Sequence, residues 1–248
     1  MKNKMAKALI LVLAIAFRFT LFTACSTPGG STTGSSTTGD ANNGGTQNYS
    51  NGLEYVVKED GKTCAIYGIG TCKDTKVVIP ETIEGYTVTS IHGHAFFECS
   101  SFTSIVIPDS VTYIGSFAFY DCGSLTSVVI GNSVMLIGAY AFSNCESLTS
   151  IVIPDLVNSI WECAFSNCDS LTSIVIPDSV TSIGKGAFSY CDSLTSIVIP
   201  DSVKYMGQDV FSECISLTVV NCEHESQPSD WDENWNKSNK TVVWGYKA

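Results

Sequence analysis

The apolar positions between Val77 and Cys222 return every 23 residues, a period far longer than that of a helix or a strand. Ile91, Ile114, Ile137, Ile160, Ile183 and Met206 form one column. Phe96, Phe119, Phe142, Phe165, Phe188 and Phe211 form a second, and Cys99, Cys122, Cys145, Cys168, Cys191 and Cys214 a third, without insertion or deletion. A segment such as Leu194-Thr195-Ser196-Ile197-Val198-Ile199-Pro200 recurs almost verbatim at Leu171 and Leu148. A fixed period of this length means that each repeat is one supersecondary unit. No unit hides its apolar side alone, so the units stack into a solenoid.

Within a repeat the pattern changes from alternation to turn chemistry. Ile197 and Ile199 share one side of a short strand, while Ser196 and Val198 point to the other. Pro200 lacks an N–H and ends the pairing. Asp201-Ser202 supplies side-chain oxygens for a turn, so the Asp109, Asp155, Asp178 and Asp201 column (Asn132 in the second turn) is expected to make Asx turns. Val203 and Met206 face inward, Gly207 permits a bend, and Phe211 and Cys214 close the coil. The expected fold is a β-rich leucine-rich-repeat solenoid of 23-residue repeats. It has short parallel strands, one per turn, and caps at both ends.

The organisation before the repeats is different. Lys2, Lys4 and Lys7 precede an apolar run from Ala8 to Phe17, the order of a signal peptide. Leu21-Phe22-Thr23-Ala24-Cys25 resembles a bacterial lipobox, with Arg18 and Phe22 as departures from it. The resemblance implies cleavage after Ala24 and lipid attachment at Cys25; the alternative is plain secretion with Cys25 as a spare thiol. Of the 27 residues from Ser26 to Gly52, 22 are Ser, Thr, Gly or Asn. Such a segment is expected to be a flexible tether with a reach of about 29 Å. The expected domains are a signal peptide (1–24), lipidated Cys and linker (25–52), N-terminal β cap (53–90), solenoid (91–221) and C-terminal cap (222–248).

Charge narrows the function classes. Lys plus Arg is 13 against 24 Asp plus Glu, a formal net charge of −11, and cleavage of the signal would remove four of the basic residues. A nucleic-acid partner is therefore not expected, because it requires a basic face. No nucleophile elbow, zinc-protease motif or phosphate-binding glycine loop is present, so no enzyme activity or cofactor is expected.

The eleven cysteines are the most conspicuous candidate chemistry. One Cys per repeat lacks the paired short spacing of zinc ligands. Stacked turns would also make the Cβ vectors parallel, which disfavours disulfides. Buried free thiols, packed as small apolar residues, are the expected state. Cys222 falls in the Ile199 column and belongs to the core; Cys163 falls in a more exposed column. Cys64 and Cys72 are the one pair whose spacing leaves a disulfide open. His92-Gly93-His94 has two candidate metal ligands but no third at a suitable spacing, and reads as surface decoration; no metal site is expected.

Two surfaces are candidates for binding. Ser104/Val106, Ser127/Val129, Ser150/Val152, Ser173/Val175 and Ser196/Val198 are expected to form a flat, uncharged strand face suited to extended partners. Trp231, Trp235 and Trp244 would either carry a glycan or cover the last rung. Phe117, Tyr140 and Trp161, on the opposite loops, form a rival patch.

The repeat Ile183-Gly184-x-x-Ala187-Phe188-x-x-Cys191-x-Ser193-Leu194-Thr195-x-Ile197-x-Ile199-Pro200-x-Ser202-Val203 resembles the BspA-like leucine-rich-repeat surface proteins. The likeness runs over about residues 53–248. Thr75–Pro80 with Gly85–Ile91 resembles the family's opening turn, and Trp231-x-x-x-Trp235-Asn236 with Val243-Trp244-Gly245 resembles its end. The resemblance implies a bacterial cell-surface protein for adhesion or protein–protein interaction, with host matrix proteins such as fibronectin and fibrinogen as partners of some members. The expected partner is an extended or polymeric protein, with membrane attachment through Cys25; a glycan-binding module using the C-terminal tryptophans is the alternative.

Overall fold

The structure, a computed structural model, describes residues 49–247. The signal segment, Cys25 and nearly all of the linker lie outside these residues. Among the described residues there is no helix. The chain opens with a hairpin of β1 (Glu54–Val57) and β2 (Thr63–Gly68), followed by β3 (Lys76–Val78), β4 (Thr82–Ile83) and β5 (Tyr86–Ile91). Strands then alternate in two series. The longer ones are β6 (Ser104–Val106), β8 (Ser127–Val129), β10 (Ser150–Val152), β12 (Ser173–Val175), β14 (Ser196–Ile199) and β16 (Val219–Cys222). Between them lie the two-residue β7 (Tyr113–Ile114), β9 (Leu136–Ile137), β11 (Ser159–Ile160), β13 (Ser182–Ile183) and β15 (Tyr205–Met206). The final strand is β17 (Thr241–Trp244).

The result is a parallel β-solenoid of about 8 turns. One row runs β3-β6-β8-β10-β12 and continues as β14-β16-β17, with Thr195 N reaching Thr172 O at 3.5 Å between the two segments. The other row runs β2-β5-β7-β9-β11-β13-β15, with β1 antiparallel to β2 at its start. Each turn therefore carries two strands rather than the one expected. The second is short, and its outward column (Tyr113, Leu136, Ser159, Ser182, Tyr205) has no consistent strand chemistry. It exists because backbone groups flanking Ile pair between turns, as in Gly115 N to Ile91 O (2.9 Å) and Gly138 N to Ile114 O (2.9 Å).

Register is kept to the residue. Ser104 opposes Ser127, Ser127 opposes Ser150, and Ser150 opposes Ser173; in the other row Ile91, Ile114, Ile137, Ile160, Ile183 and Met206 align. This like-on-like stacking is what an unbroken period requires.

Inside, the Phe column is a continuous ladder. Phe96, Phe119, Phe142, Phe165, Phe188 and Phe211 are all buried, with centroids 5.0–5.9 Å apart and planes within 8°. Near-parallel rings at that separation are offset rather than eclipsed, the favoured arrangement for their quadrupoles. Phe102 closes one end edge-on at 5.6 Å, and Trp235 the other at 6.4 Å.

The loop carrying Phe bends by repeated left-handed residues. His94, Phe117, Tyr140, Cys163, Gly186 and Asp209 have φ of 50–63°, as do Glu98, Asp121, Asn144, Asn167, Tyr190 and Glu213 at 54–60°. Outside glycine, each such residue costs on the order of 1 kcal/mol or more. The cost is offset by bonds between turns: Phe117 N to Ala139 O (2.9 Å), Phe119 N to Ala141 O (2.8 Å) and Asp121 N to Ser143 O (2.9 Å). Gly207 has a different task from the bend expected of it. A Cβ there would lie 2.5 Å from Lys185 N, so glycine lets one turn approach the next.

The Asx-turn expectation is also corrected. The turns after the strands close through the backbone, Val157 N to Pro154 O (3.0 Å), Val180 N to Pro177 O (3.0 Å) and Val203 N to Pro200 O (3.1 Å). The Asp109 carboxylate instead accepts from Asn132 N of the next turn at 2.7 Å.

The cysteine column is buried and reduced. Its thiols are more than apolar filler. Cys122, Cys145, Cys168 and Cys191 each donate to the carbonyl of the Phe 26 residues earlier, at 3.1–3.2 Å. Burial pushes the Cys168 thiol up to about 12 and the Cys145 thiol well above its ordinary range. Cys64 and Cys72 are free thiols in the structure, and Cys222 is buried in the core.

Cys145, Cys168 and Cys191 are accordingly expected to resist a thiol reagent until denaturant unfolds the chain. Cys168→Ser retains a donor for Phe142 O and is expected to cost about 1 kcal/mol, less than Cys168→Ala. Urea titration of both variants checks the order.

Candidate interaction surface

The outward residues of the longer strands are where the sequence placed them. Ser127, Ser150, Ser173 and Ser196 are exposed, as are Val129, Val152 and Val175 at 57%, 75% and 74%, while Val198 is half-buried. Inward alternation forces this, because Val128, Ile151, Ile174 and Ile197 take the buried side. Beside them, Thr126 Oγ1 donates to Thr103 O (2.9 Å) and Thr149 Oγ1 to Thr126 O (3.3 Å). The hydroxyls thus stitch the turns while the valine methyls stay bare.

The row is less uniform than its sequence. In the second turn Gly131-Asn132 replaces Pro-Asp, and a Cβ on Gly131 would collide with Pro108 O. Val106, Pro108, Asp109, Val129, Gly131, Asn132 and Val152 line a shallow depression of about 460 Å³ there.

The rival patch is self-satisfied. His94 stacks on Phe117 at 5.0 Å, and Phe117 on Tyr140 at 4.7 Å with planes 3° apart. These faces are consumed by one another. Trp161, on a separate column, is exposed at 48%. His92 packs against Tyr67 (4.8 Å) and its Nδ1 lies 2.8 Å from Gly93 O, so the two histidines are engaged in different aromatic contacts. Cys163 is half-buried, its Sγ 3.7 Å from Lys185 O.

The tryptophans form the lid of the last turn. Trp231 and Trp235 are buried, and Trp244 is half-buried. Trp231 Nε1 donates to Val203 O at 3.2 Å, and Asp232 N pairs with Met206 O at 2.8 Å. Two of the three rings thus have no free face for a sugar, which removes the geometric basis of the glycan-binding alternative.

His224, which the sequence placed only in an acidic stretch, belongs to this lid. Its ring lies edge-on to Trp231 at 5.3 Å, and both ring nitrogens are buried without a hydrogen-bond partner. Burial first, then the Lys204 ammonium, holds the imidazole below its ordinary range; Asp201, Glu223 and the nearby Val203 carbonyl act the other way. Only the structure reveals this, because the residues that enclose His224 come from two turns.

The chain matches the BspA type leucine-rich repeat region in 6 copies, over residues 70–160 and 136–229. A leucine-rich repeat protein of T. pallidum has a similar crystal structure, with 28% identity and a TM-score of 0.65. The match covers 79% of this chain and 97% of that one. A leucine-rich cell surface protein of Faecalibacterium prausnitzii is 34% identical with a TM-score of 0.58, over 74% of this chain and 56% of that one. The likeness thus spans little more than half of the second protein. No curated protein is significantly similar.

The folded chain keeps His224 neutral more strongly than the unfolded chain does. Its contribution to stability is therefore full above the ordinary histidine value of about 6.5 and declines as pH falls towards the folded-state value. Urea midpoints at neutral and mildly acidic pH should fall more in wild type than in His224→Phe. Equal slopes would remove His224 as the source.

Proposed function

Because the chain belongs to the BspA-type leucine-rich-repeat proteins, we propose that it is an exported, lipid-anchored surface protein that binds an extended protein partner on its flat strand face. The observation that carries this reading is the bare valine row, Val129, Val152 and Val175, exposed at 57–75% and in register from turn to turn. Aligned apolar groups left open to water over several turns support an interaction surface there. Each rung offers a similar weak contact about 4.8 Å from the next, and linked weak contacts sum to a strong one through effective concentration. A long protein partner gains from that repetition; a small metabolite does not.

Family and setting agree with this role. Solenoids of this kind serve interaction rather than catalysis, and the F. prausnitzii relative is a cell surface protein. Host matrix proteins are the partners to try first. Attachment through a lipid on Cys25, with the Ser/Thr/Gly segment as stalk, would hold the solenoid off the membrane by about 29 Å.

Val129→Lys, Val152→Lys and Val175→Lys, combined, place three cations on the face without touching an inward column. Full-length protein should retain a matrix or cell-surface protein from extracts, and the triple variant should bind it at least about tenfold more weakly. Undiminished binding by a folded triple variant would show that the strand face is the wrong surface.

Cys25→Ala should abolish incorporation of a labelled fatty acid and shift the protein from the membrane to the soluble fraction. Equal labelling of variant and wild type would exclude the anchor.

A further inference from the structure

The flat face lies between two rows of carboxylates. On the side where the chain approaches the strands, Glu146, Asp169 and Asp192 follow successive column cysteines. Their main chains are tied in register by Ser170 N to Glu146 O (3.1 Å), Ser193 N to Asp169 O (3.0 Å) and Ser216 N to Asp192 O (3.2 Å). On the side where the chain leaves, Asp155, Asp178 and Asp201 follow successive prolines and are all exposed. Over these three turns each row adds one negative charge per turn, with turns about 4.8 Å apart. That is well inside the screening length of about 8 Å at physiological salt. The preceding turn, which carries Val129, has Gly123 and Asn132 at these positions.

Within the repeats these charges have almost no counterpart; Lys204, whose Nζ donates to Asp201 O at 2.7 Å, lies at the end of one row. From Val77 to Val203 there are 12 acidic residues and one basic residue, Lys185. Lys185 follows Gly184 at the end of β13, in the other strand row, away from the valine face. The Asp169 carboxyl is held above its ordinary range by burial, and then by Asp192 and Glu146. Like charges stacked in this way repel, and a cation laid along them relieves the repulsion.

We infer that the occupant of the flat face is an extended polypeptide segment carrying regularly spaced Lys or Arg side chains. Its apolar side chains meet the valines, and its cations reach the Glu146/Asp169/Asp192 and Asp155/Asp178/Asp201 rows. This rests on the strand-face reading above and adds the partner's charge. The spacing is geometrically favourable. In the polyproline II form, three residues span about 9.3 Å and bring the side chain back to the same side, close to the roughly 9.6 Å of two turns, so a basic residue at every third position meets a row repeatedly. Anionic partners, such as nucleic acid or sulfated glycan, are repelled by the same two rows.

The test uses full-length protein and a fluorescent synthetic peptide repeating Lys-Val-Thr, followed by anisotropy at low and physiological salt. The same peptide with Gln for Lys is the neutral probe. Asp155→Asn, Asp169→Asn, Asp178→Asn and Asp192→Asn, combined, should weaken binding of the lysine peptide at least about tenfold. They should also flatten its salt dependence. A control changes the same amount of charge off the face: Glu98→Gln, Asp121→Asn, Glu162→Gln and Glu213→Gln. It should bind the lysine peptide as wild type does. The inference is overturned if the face variant binds the lysine peptide as tightly as wild type. It is also overturned if the control loses as much, or if the glutamine peptide binds equally well. A partner from extracts that is lost on the valine-to-lysine changes but kept by the carboxylate variant would leave the strand-face reading standing and remove this one.

Discussion

Each turn of the solenoid sends its backbone donors and acceptors along the axis, where only the next turn can meet them. Buried backbone groups must be paired. The position of every residue within its turn is therefore bound to that of its counterpart 23 residues away. Ile91 sits beside Ile114, and the Phe117 N–H finds Ala139 O. One inserted residue would misalign both strand rows and the loop bonds together, which is why the columns run from Ile91 to Met206 without a slip. The left-handed loop residues follow from the same constraint. Tyr140 and Asn144 adopt φ near 60° because the bonds made in that conformation exceed its local cost.

The constraint explains how much was legible in advance. Inward columns recur because the register repeats the same packing site, so Phe142, Cys145, Leu148, Ile151 and Ile153 could all be assigned to the core from spacing alone. The second strand per turn could not be. Its pairing comes from backbone groups around Ile137 and Ile160, while its outward residue varies from Tyr113 to Ser159. The left-handed column was equally hidden, since Phe117, Tyr140 and Cys163 are not residues that announce that conformation. Cys168 was read as a small apolar residue because spacing reports burial and says nothing about whether its thiol faces Phe142 O.

The surface was legible in part. Alternation placed Val152 and Val175 outward, and the structure agrees. The depression around Gly131 was missed, because it is shaped by residues of three turns, with Val106 and Val152 on either side of Val129. His224 was missed for a similar reason: its enclosure depends on Trp231 folding back over the last turn, a contact that no local pattern encodes. The three tryptophans were read in two ways, and the bond from Trp231 Nε1 to Val203 O decides for the lid. An open solenoid end exposes apolar side chains and unpaired backbone, and the lid supplies partners for both.

A solenoid built in this way divides its residues sharply. Inward columns are bound by packing and loop columns by backbone bonds, so a specific partner can be recognised only through positions free of both duties. The side chains of the outward strand residues and of the two carboxylate rows are the repeated groups that meet this condition, although the main chains beneath them are bonded from turn to turn. Thr126 and Thr149 are partly committed, since their hydroxyls bond the previous turn. Val129, Val152, Asp155 and Asp178 carry no such bond and nonetheless recur from turn to turn, with Asn132 the one departure in the Asp column from Asp109 to Asp201. Repetition at a site with no structural duty creates a regular array of methyl groups edged by negative charge. A partner that is itself long, regular and positively charged, as proposed above, would gain from each added turn by the same small step.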